Sequence, residues 1–306
     1  FVKILMHQKQ MKKKIINTDK ILEDLKNKGF ATIESFLDKE TIDEIENDTT
    51  KNRYELNKNS LNGIYYETQY YFMHLLAESK KCYEFLISDF VINLCKDYLG
   101  NIFRLRALRY YETMSGHNMN WHTDNKKDQE LTKYNGLIFI IYISDTYEGE
   151  FQFIEGSHKL REQFNSPEFD NNTVETKYSH LIRSFKMPKG SLIIYDATGI
   201  HRAKPFKNSK FIRKSLYFQV DATNENGLQI LINPNFLKEI NRDVEMLLGF
   251  GKESNYPVYP KTNLNMLPIN KPILTSVLKW FFYRSVRFII RTGPRNIKKY
   301  IARFLK

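Results

Sequence analysis

Residues 189–220 read KGSLIIYDATGIHRAKPFKNSKFIRKSLYFQV. Two apolar runs in this stretch, SLIIYD and RKSLYFQV, are rich in β-branched and aromatic side chains. Gly, Pro, Asn and Ser bound them, so each is expected to be a strand. Runs of the same kind occur upstream: IFRLRALRYYE at 102–112, GLIFIIYIS at 136–144 and GEFQFI at 149–154. Short strands at this spacing, after a helical start, predict an antiparallel sandwich or jelly roll with helices packed outside it.

The helical start lies between residues 18 and 100. TDKILEDLKNKG is expected to open at a Thr18 or Asp19 cap and to stop at Gly29. FATIESF alternates as a strand, and LDKETIDEIEND reads as a charged amphipathic helix. Residues 50–70 are polar and Asn-rich and read as loop. KKCYEFLISDFVINLCKDYLG has helical spacing up to Gly100. Residues 160–185 form a polar insert between strands. After residue 222 the pattern turns helical again, with NFLKEINRDVEMLLGFG expected as a helix capped by Asn235. The expected organisation is a flexible basic N-terminus over 1–17, one domain over 18–235, and a C-terminal helical extension over 236–306.

Composition narrows the class. A chain of 306 residues with 42% hydrophobic side chains can bury a substantial core. Cys82 and Cys95 are its two cysteines, too few for a disulfide framework or a zinc site, so a reducing, cytoplasmic setting is expected. The first residues hold an apolar run of about five, shorter than a signal-peptide core. Met11, followed by three lysines, reads as a natural start. The net charge of +12 is concentrated at the end. Residues 271–306 hold ten Lys or Arg and no Asp or Glu, so the other 270 residues are nearly neutral.

Seven histidines are present, and two sit in suggestive places. In MNWHTDN (119–125), His122 and Asp124 alternate. On extended backbone alternate side chains point the same way, so both can reach one ion, although a solvated loop would display the same pair. Two ligands hold a divalent ion weakly, and His201, just past the strand SLIIYD, is the candidate third. Two His and one carboxylate on one face of a metal leave positions open, the arrangement of non-haem Fe(II) oxygenases. Arg213 lies twelve residues beyond His201, at the start of a strand. There it can form a bidentate pair with a carboxylate, such as the far end of 2-oxoglutarate. Ser215 is two residues on, along the same face.

Four blocks together resemble the phytanoyl-CoA dioxygenase family of Fe(II)/2-oxoglutarate oxygenases. They are NWHTDN, GLIFIIYISDTYEGEFQFIEGSHKL, the opening stretch 189–220, and more weakly NKGFATIESFLDKETIDEI near the start. The resemblance covers roughly residues 20–221. It implies a mainly β fold with flanking α: a double-stranded β-helix (jelly roll, cupin-like) core with N-terminal helices. It implies Fe(II), 2-oxoglutarate and O2 as cofactor and co-substrates, and hydroxylation of an unactivated C–H bond. His122, Asp124 and His201 would bind the metal and be the catalytic residues. Arg213 would hold the co-substrate, with Tyr142 and Ser215 beside it. Related halogenases replace the carboxylate ligand with a small residue, so retention of Asp124 favours hydroxylation. Glu155 stands where the family usually has proline before its Gly-Ser-His turn, which leaves the stiffness of that turn open. His158 in the turn is expected to be structural. The alternative is a jelly-roll binding module, or a membrane adaptor with a vestigial pocket.

The basic tail carries its own expectation. In LKWFFYRSVRFIIR (278–291), wound as a helix, Leu278, Phe281, Phe282, Ser285, Phe288 and Ile289 share one side and Arg284, Arg287 and Arg291 another. RNIKKYIARFLK (295–306) repeats the scheme. Helices built this way lie in a membrane interface. One expected partner is therefore an anionic membrane surface met through 273–306, at the inner face of a membrane, with a small-molecule or lipid-linked substrate; the other reading is that both helices dock their apolar sides on the barrel. Nucleic acid ranks last because no recognised module is present.

Overall fold

The structure, a computed structural model, describes residues 16–51, 64–65, 68–125, 134–163, 168–205, 210–225, 230–237 and 240–250. It also describes 278, 281–282, 285–286, 288–289 and 294. The expected flexible N-terminus and most of the basic tail lie outside the described residues.

The helical part begins with α1 (Thr18–Lys28), β1 (Phe30–Ile33) and α2 (Lys39–Thr50). Asn17, not Thr18 or Asp19, caps α1: its side chain accepts from the Lys20 amide. Gly29 ends it at φ +88, a left-handed turn that glycine adopts without a Cβ penalty. Asp38 caps α2. Next come β2 (Ile64–Tyr65) and β3 (Gln69–Phe72), which correct the reading of 50–70 as loop throughout. QYYF alternates too briefly to stand out against the polar residues before it. α3 (Leu75–Glu78), α4 (Lys80–Leu86) and α5 (Asp89–Leu99) follow. The single helical run expected over 80–100 is therefore two helices. Ser88 caps the second with its hydroxyl, which turns the chain at Ile87.

The remaining strands are β4 (Arg104–Met114), β5 (Trp121–His122), β6 (Gly136–Tyr142), β7 (Phe151–Ile154) and β8 (Glu168–Phe169). After α6 (Asn171–Lys177) come β9 (Ile182–Phe185), β10 (Leu192–Asp196), β11 (His201–Ala203) and β12 (Ile212–Asp221), then α7 (Arg242–Leu248). The insert 160–185 is thus partly ordered secondary structure. The last helix starts six residues later than NFLKEI suggests, because Asn241, not Asn235, supplies the cap by accepting from the Asp243 and Val244 amides.

Among the described residues two antiparallel sheets form. One runs β1-β10-β6-β12-β4-β3-β2 and the other β8-β5-β11-β7-β9. They face each other as a jelly roll. β6 shows why its sequence, GLIFIIY, is apolar without a break. Ile138, Ile140 and Tyr142 point between the sheets, while Leu137, Phe139 and Ile141 join the layer under the helices. A strand covered on both faces loses the polar half of its alternation. Val244, Leu247 and Leu248 of α7 also join the helical layer, past the 18–235 boundary expected for the domain. Cys82 and Cys95 are buried free thiols, and burial pushes Cys82 up to about 12.

His74, between β3 and α3, is buried edge-on against Phe72 at 5.7 Å. Burial lowers its pKa from 6.5 to about 4. An unfolded chain takes up that proton near pH 6.5, whereas the folded chain resists until near 4. Stability is therefore full above about pH 6.5 and falls as pH drops toward 4, by up to about 3 kcal/mol. Urea midpoints at pH 7 and pH 4.5 should differ accordingly, and most of that difference should vanish in His74→Phe. An unchanged slope in the variant would rule His74 out as its source.

Candidate active site

The two histidines of the expected trio meet by strand pairing. β5 and β11 are antiparallel neighbours, and His122 and His201 are register partners with ring centroids 4.4 Å apart. Asp124 lies just past β5. Its backbone amide and that of Asn125 both donate to the Ala197 carbonyl, at 3.1 and 3.0 Å. Ala197 begins the turn that leads from β10 into His201. The Asp124 loop and the His201 turn are thereby fastened together.

Ligand atoms of His122, Asp124 and His201 all lie within 4.8 Å of one another. The second nitrogen of each ring settles which atom faces inward. His122 Nδ1 is 2.9 Å from the Asn120 carbonyl, and His201 Nδ1 is 3.0 Å from the Gly199 carbonyl. A carbonyl can only accept, so each Nδ1 carries the hydrogen. That leaves both Nε2 atoms for the centre, 4.0 and 3.1 Å from the Asp124 carboxylate oxygens. Backbone-oriented imidazoles of this kind are typical of metal ligands. Burial by itself raises the Asp124 pKa. The positive charge of His201, its hydrogen bond, then His122 and Arg109 outweigh that and hold the carboxyl well below its usual range. The three side chains are thus arranged around positive charge, and a divalent cation would supply it in place of protons on the two Nε2 atoms.

Tyr195, on β10, completes the surroundings. Its hydroxyl donates to Asp124 Oδ2 at 3.0 Å and lies 3.4 Å from His201 Nε2. Gly199 matters for space rather than backbone angle. A Cβ there would meet the Phe153 ring at 2.1 Å. Gly199→Ala is expected to displace that ring and the carbonyl that orients His201, at about 1–3 kcal/mol of stability and about 10–100-fold in metal affinity. Thermal melting and competition with a chromophoric chelator would measure both, and wild-type values would show that the turn tolerates the methyl.

A cavity with about 520 Å³ of empty space, counting its open mouth, adjoins the trio. Its lining includes Tyr142, Arg213, Ile140, Phe151 and Tyr217 as well as the three candidate ligands. Arg213 is buried. One Nη donates to the Gly149 carbonyl and the other to Thr113 Oγ1. Its Nε has no partner, and neither does Ser215 Oγ on the same strand face. Among the described residues no carboxylate pairs with Arg213. A buried cation and a hydroxyl, both with unmet hydrogen bonds, fit the carboxylate of a ligand such as 2-oxoglutarate. Tyr142 is register partner to Ser215. Its hydroxyl accepts from the Phe151 amide at 3.0 Å and donates to the Phe185 carbonyl at 3.2 Å. Burial, above all, raises its pKa, so the phenol stays neutral.

Residues outside the trio sort clearly. His158 bonds the Lys26 carbonyl at 3.2 Å, the structural role expected of it. Glu155, in place of the usual proline, forms an ion pair with Arg183 at 2.7 Å, which ties the turn to β9. Trp121 is fully buried beneath the Arg202 guanidinium. Sequence reasoning missed Tyr195, Arg109, Gln69 and Tyr71 as cavity residues. Tyr195 was legible in principle, since it stands at a face-in position of the strand before His201.

The family model described as Phytanoyl-CoA dioxygenase (PhyH) matches residues 25–215. That span contains the trio, Tyr142, Arg213 and Ser215. Among solved structures, HygX from Streptomyces hygroscopicus, with nickel, 2-oxoglutarate and hygromycin B bound, is 14% identical. The alignment covers 72% of this chain and 94% of that one, with a TM-score of 0.51. EctD from S. alaskensis, in its apo form, is 13% identical over 78% of this chain and 88% of that one, with a TM-score of 0.55. Both likenesses speak for the jelly-roll fold. No curated protein sequence matches the chain.

Proposed function

We propose that this chain, which belongs to the phytanoyl-CoA dioxygenase (PhyH) family and is an Fe(II)/2-oxoglutarate-dependent oxygenase, binds iron through His122, Asp124 and His201. Arg213 and Ser215 take the far carboxylate of 2-oxoglutarate, with Tyr142 beside it. The product is a hydroxylated small molecule, free or linked to a lipid or glycan. The observation that carries this reading is the pair of Nε2 atoms aimed at one carboxylate, each fixed by a backbone carbonyl behind it.

When bound, iron together with 2-oxoglutarate and O2 supplies the oxidising chemistry that places a hydroxyl on an unactivated carbon. The chain's own part is positioning. Its backbone carbonyls fix both imidazoles, and Tyr195 holds one oxygen of Asp124. Arg213 and Ser215 set the depth at which a dicarboxylate can seat. Ile140 and Phe151 supply apolar side chains to the cavity wall beside the trio.

Anaerobic titration with Fe(II) and 2-oxoglutarate tests the assignment. A weak visible charge-transfer band is expected, and His122→Ala should abolish it. A chain without the band, releasing no succinate in air, would be a binding module instead.

The lipid-linked form of the substrate is supported by the tail. Leu278, Phe281, Phe282 and Phe288 are all more than half exposed, within a segment rich in arginine. Among the described residues no helix is long and apolar enough to cross a membrane. Interfacial binding by such a segment combines apolar insertion with about 1 kcal/mol per basic residue near an anionic surface. The chain is expected to co-sediment with vesicles containing phosphatidylglycerol more than with pure phosphatidylcholine, and Phe281→Glu with Phe282→Glu should release it. Equal partitioning of variant and parent would sink this part.

A further inference from the structure

We infer that the primary substrate carries an anionic group, a carboxylate or a phosphate ester, and that Arg109 binds it. The inference rests on the oxygenase reading above and names the substrate class for the same cavity.

Arg109 stands on β4 and lines the cavity beside His122, Asp124 and Tyr217. Its register partner across the ladder is Tyr217, whereas Arg213 pairs with Thr113, four residues along both strands. The two arginines therefore start about 13 Å apart along the barrel wall. Three tyrosines surround the Arg109 guanidinium. Its carbon lies 3.9 Å from the Tyr217 ring centroid, 5.7 Å from that of Tyr71 and 5.9 Å from that of Tyr111. Ring faces attract a cation but cannot accept the in-plane N–H bonds of a guanidinium as a carboxylate does. Arg109 Nε is buried with no hydrogen-bond partner. Among the described residues no carboxylate lies within ion-pair distance of it.

A desolvated cation held on a cavity wall without an anion is unfavourable unless something else neutralises it. Asp124 is the nearby negative charge, and it is committed to the metal centre. The far carboxylate of 2-oxoglutarate is matched to Arg213 and Ser215, and its other end belongs at the metal. Arg109 is left over for a third anion. Gln69 and Tyr71 adjoin it on β3, joined by a 2.7 Å hydrogen bond from the Tyr71 hydroxyl to Gln69 Oε1. Met119, Ile140, Phe151 and Ala203 line the rest. This suits an acidic head group at Arg109 and an apolar portion toward the metal.

The test uses the full chain loaded anaerobically with Fe(II) and saturating 2-oxoglutarate. Calorimetric titrations follow with inorganic phosphate, hexanoate and, as the neutral control, hexanol. Phosphate and hexanoate should bind, and hexanol should bind at least tenfold more weakly. Arg109→Gln should weaken both anions by about 10- to 100-fold, and Arg109→Lys should recover part of the loss. Thermal melting of both variants checks that they are folded. Anions binding no better than hexanol, or equally well in Arg109→Gln, would overturn the inference. So would a rise in the 2-oxoglutarate concentration needed for the visible band as large in Arg109→Gln as in Arg213→Gln, which would give Arg109 to the co-substrate. If the unsubstituted chain shows no band, the oxygenase reading fails. Calorimetric loss of phosphate binding in Arg109→Gln would still uphold the anion site.

Discussion

Asp124→Ala is expected to weaken Fe(II) binding by more than the ~10–100-fold that loss of an outer partner costs a metal site, and to abolish succinate formation at micromolar iron. The carboxylate is the trio's only anionic member, so its loss leaves two neutral imidazoles facing a dication. Tyr195 makes the comparison informative. Its hydroxyl donates to Asp124 Oδ2, so Tyr195→Phe should leave the ligand in place but loosely held. That variant is expected to fall inside the ~10–100-fold range. Iron affinity, read by competition with a chromophoric chelator, should rank parent, Tyr195→Phe, then Asp124→Ala. The reverse order of the two variants would mean that Asp124 serves the fold and not the metal. Asp124→Asn separates charge from shape: it keeps the volume and one acceptor, so a loss near that of alanine would show that charge dominates.

The trio was legible because its parts obey short rules. An H-x-D pair at strand spacing and a histidine just past a buried strand can be read without coordinates. That they converge depends on β5 pairing with β11, a contact between residues some eighty apart that no local pattern encodes. The same limit hid Arg109. RLRALRYYE carries arginines at 104, 106 and 109, which strict alternation cannot place on one face. The register between β4 and β12 skips Arg106: Ala107 faces Gln219, and the next pair is Leu105 with Val220. This bulge changes which residues face inward partway along the strand. Arg109 enters the cavity, while Arg106 lies 3.8 Å from the buried Asp221. Sequence alone does not show where such a bulge falls. Caps were misplaced for a simpler reason. Asn17, Thr18 and Asp19 are all competent caps, and so are Asn235 and Asn241. Packing of the helix behind the cap selects among them.

Arg213→Ala should leave the iron site intact and cripple the co-substrate site. Truncating one partner of a buried, charge-assisted pair costs about 2–5 kcal/mol, so the 2-oxoglutarate concentration giving half the visible band should rise about 30-fold or more. Iron affinity without 2-oxoglutarate should stay close to that of the parent, because Arg213 bonds Gly149 and Thr113, not the trio. Arg213→Lys should fall between the two, since an ammonium carries the charge but not the planar fork. Ser215→Ala probes the same carboxylate with a smaller change. Its hydroxyl is buried and unpartnered, so removing it costs the fold little, and its effect should be seen in 2-oxoglutarate affinity and not in melting temperature. Should Arg213→Ala instead lose stability while its 2-oxoglutarate affinity holds, the guanidinium would be a strut between β12 and the Gly149 loop, and the co-substrate's anchor would have to lie elsewhere on the cavity wall, with Arg109 as the next cation to examine.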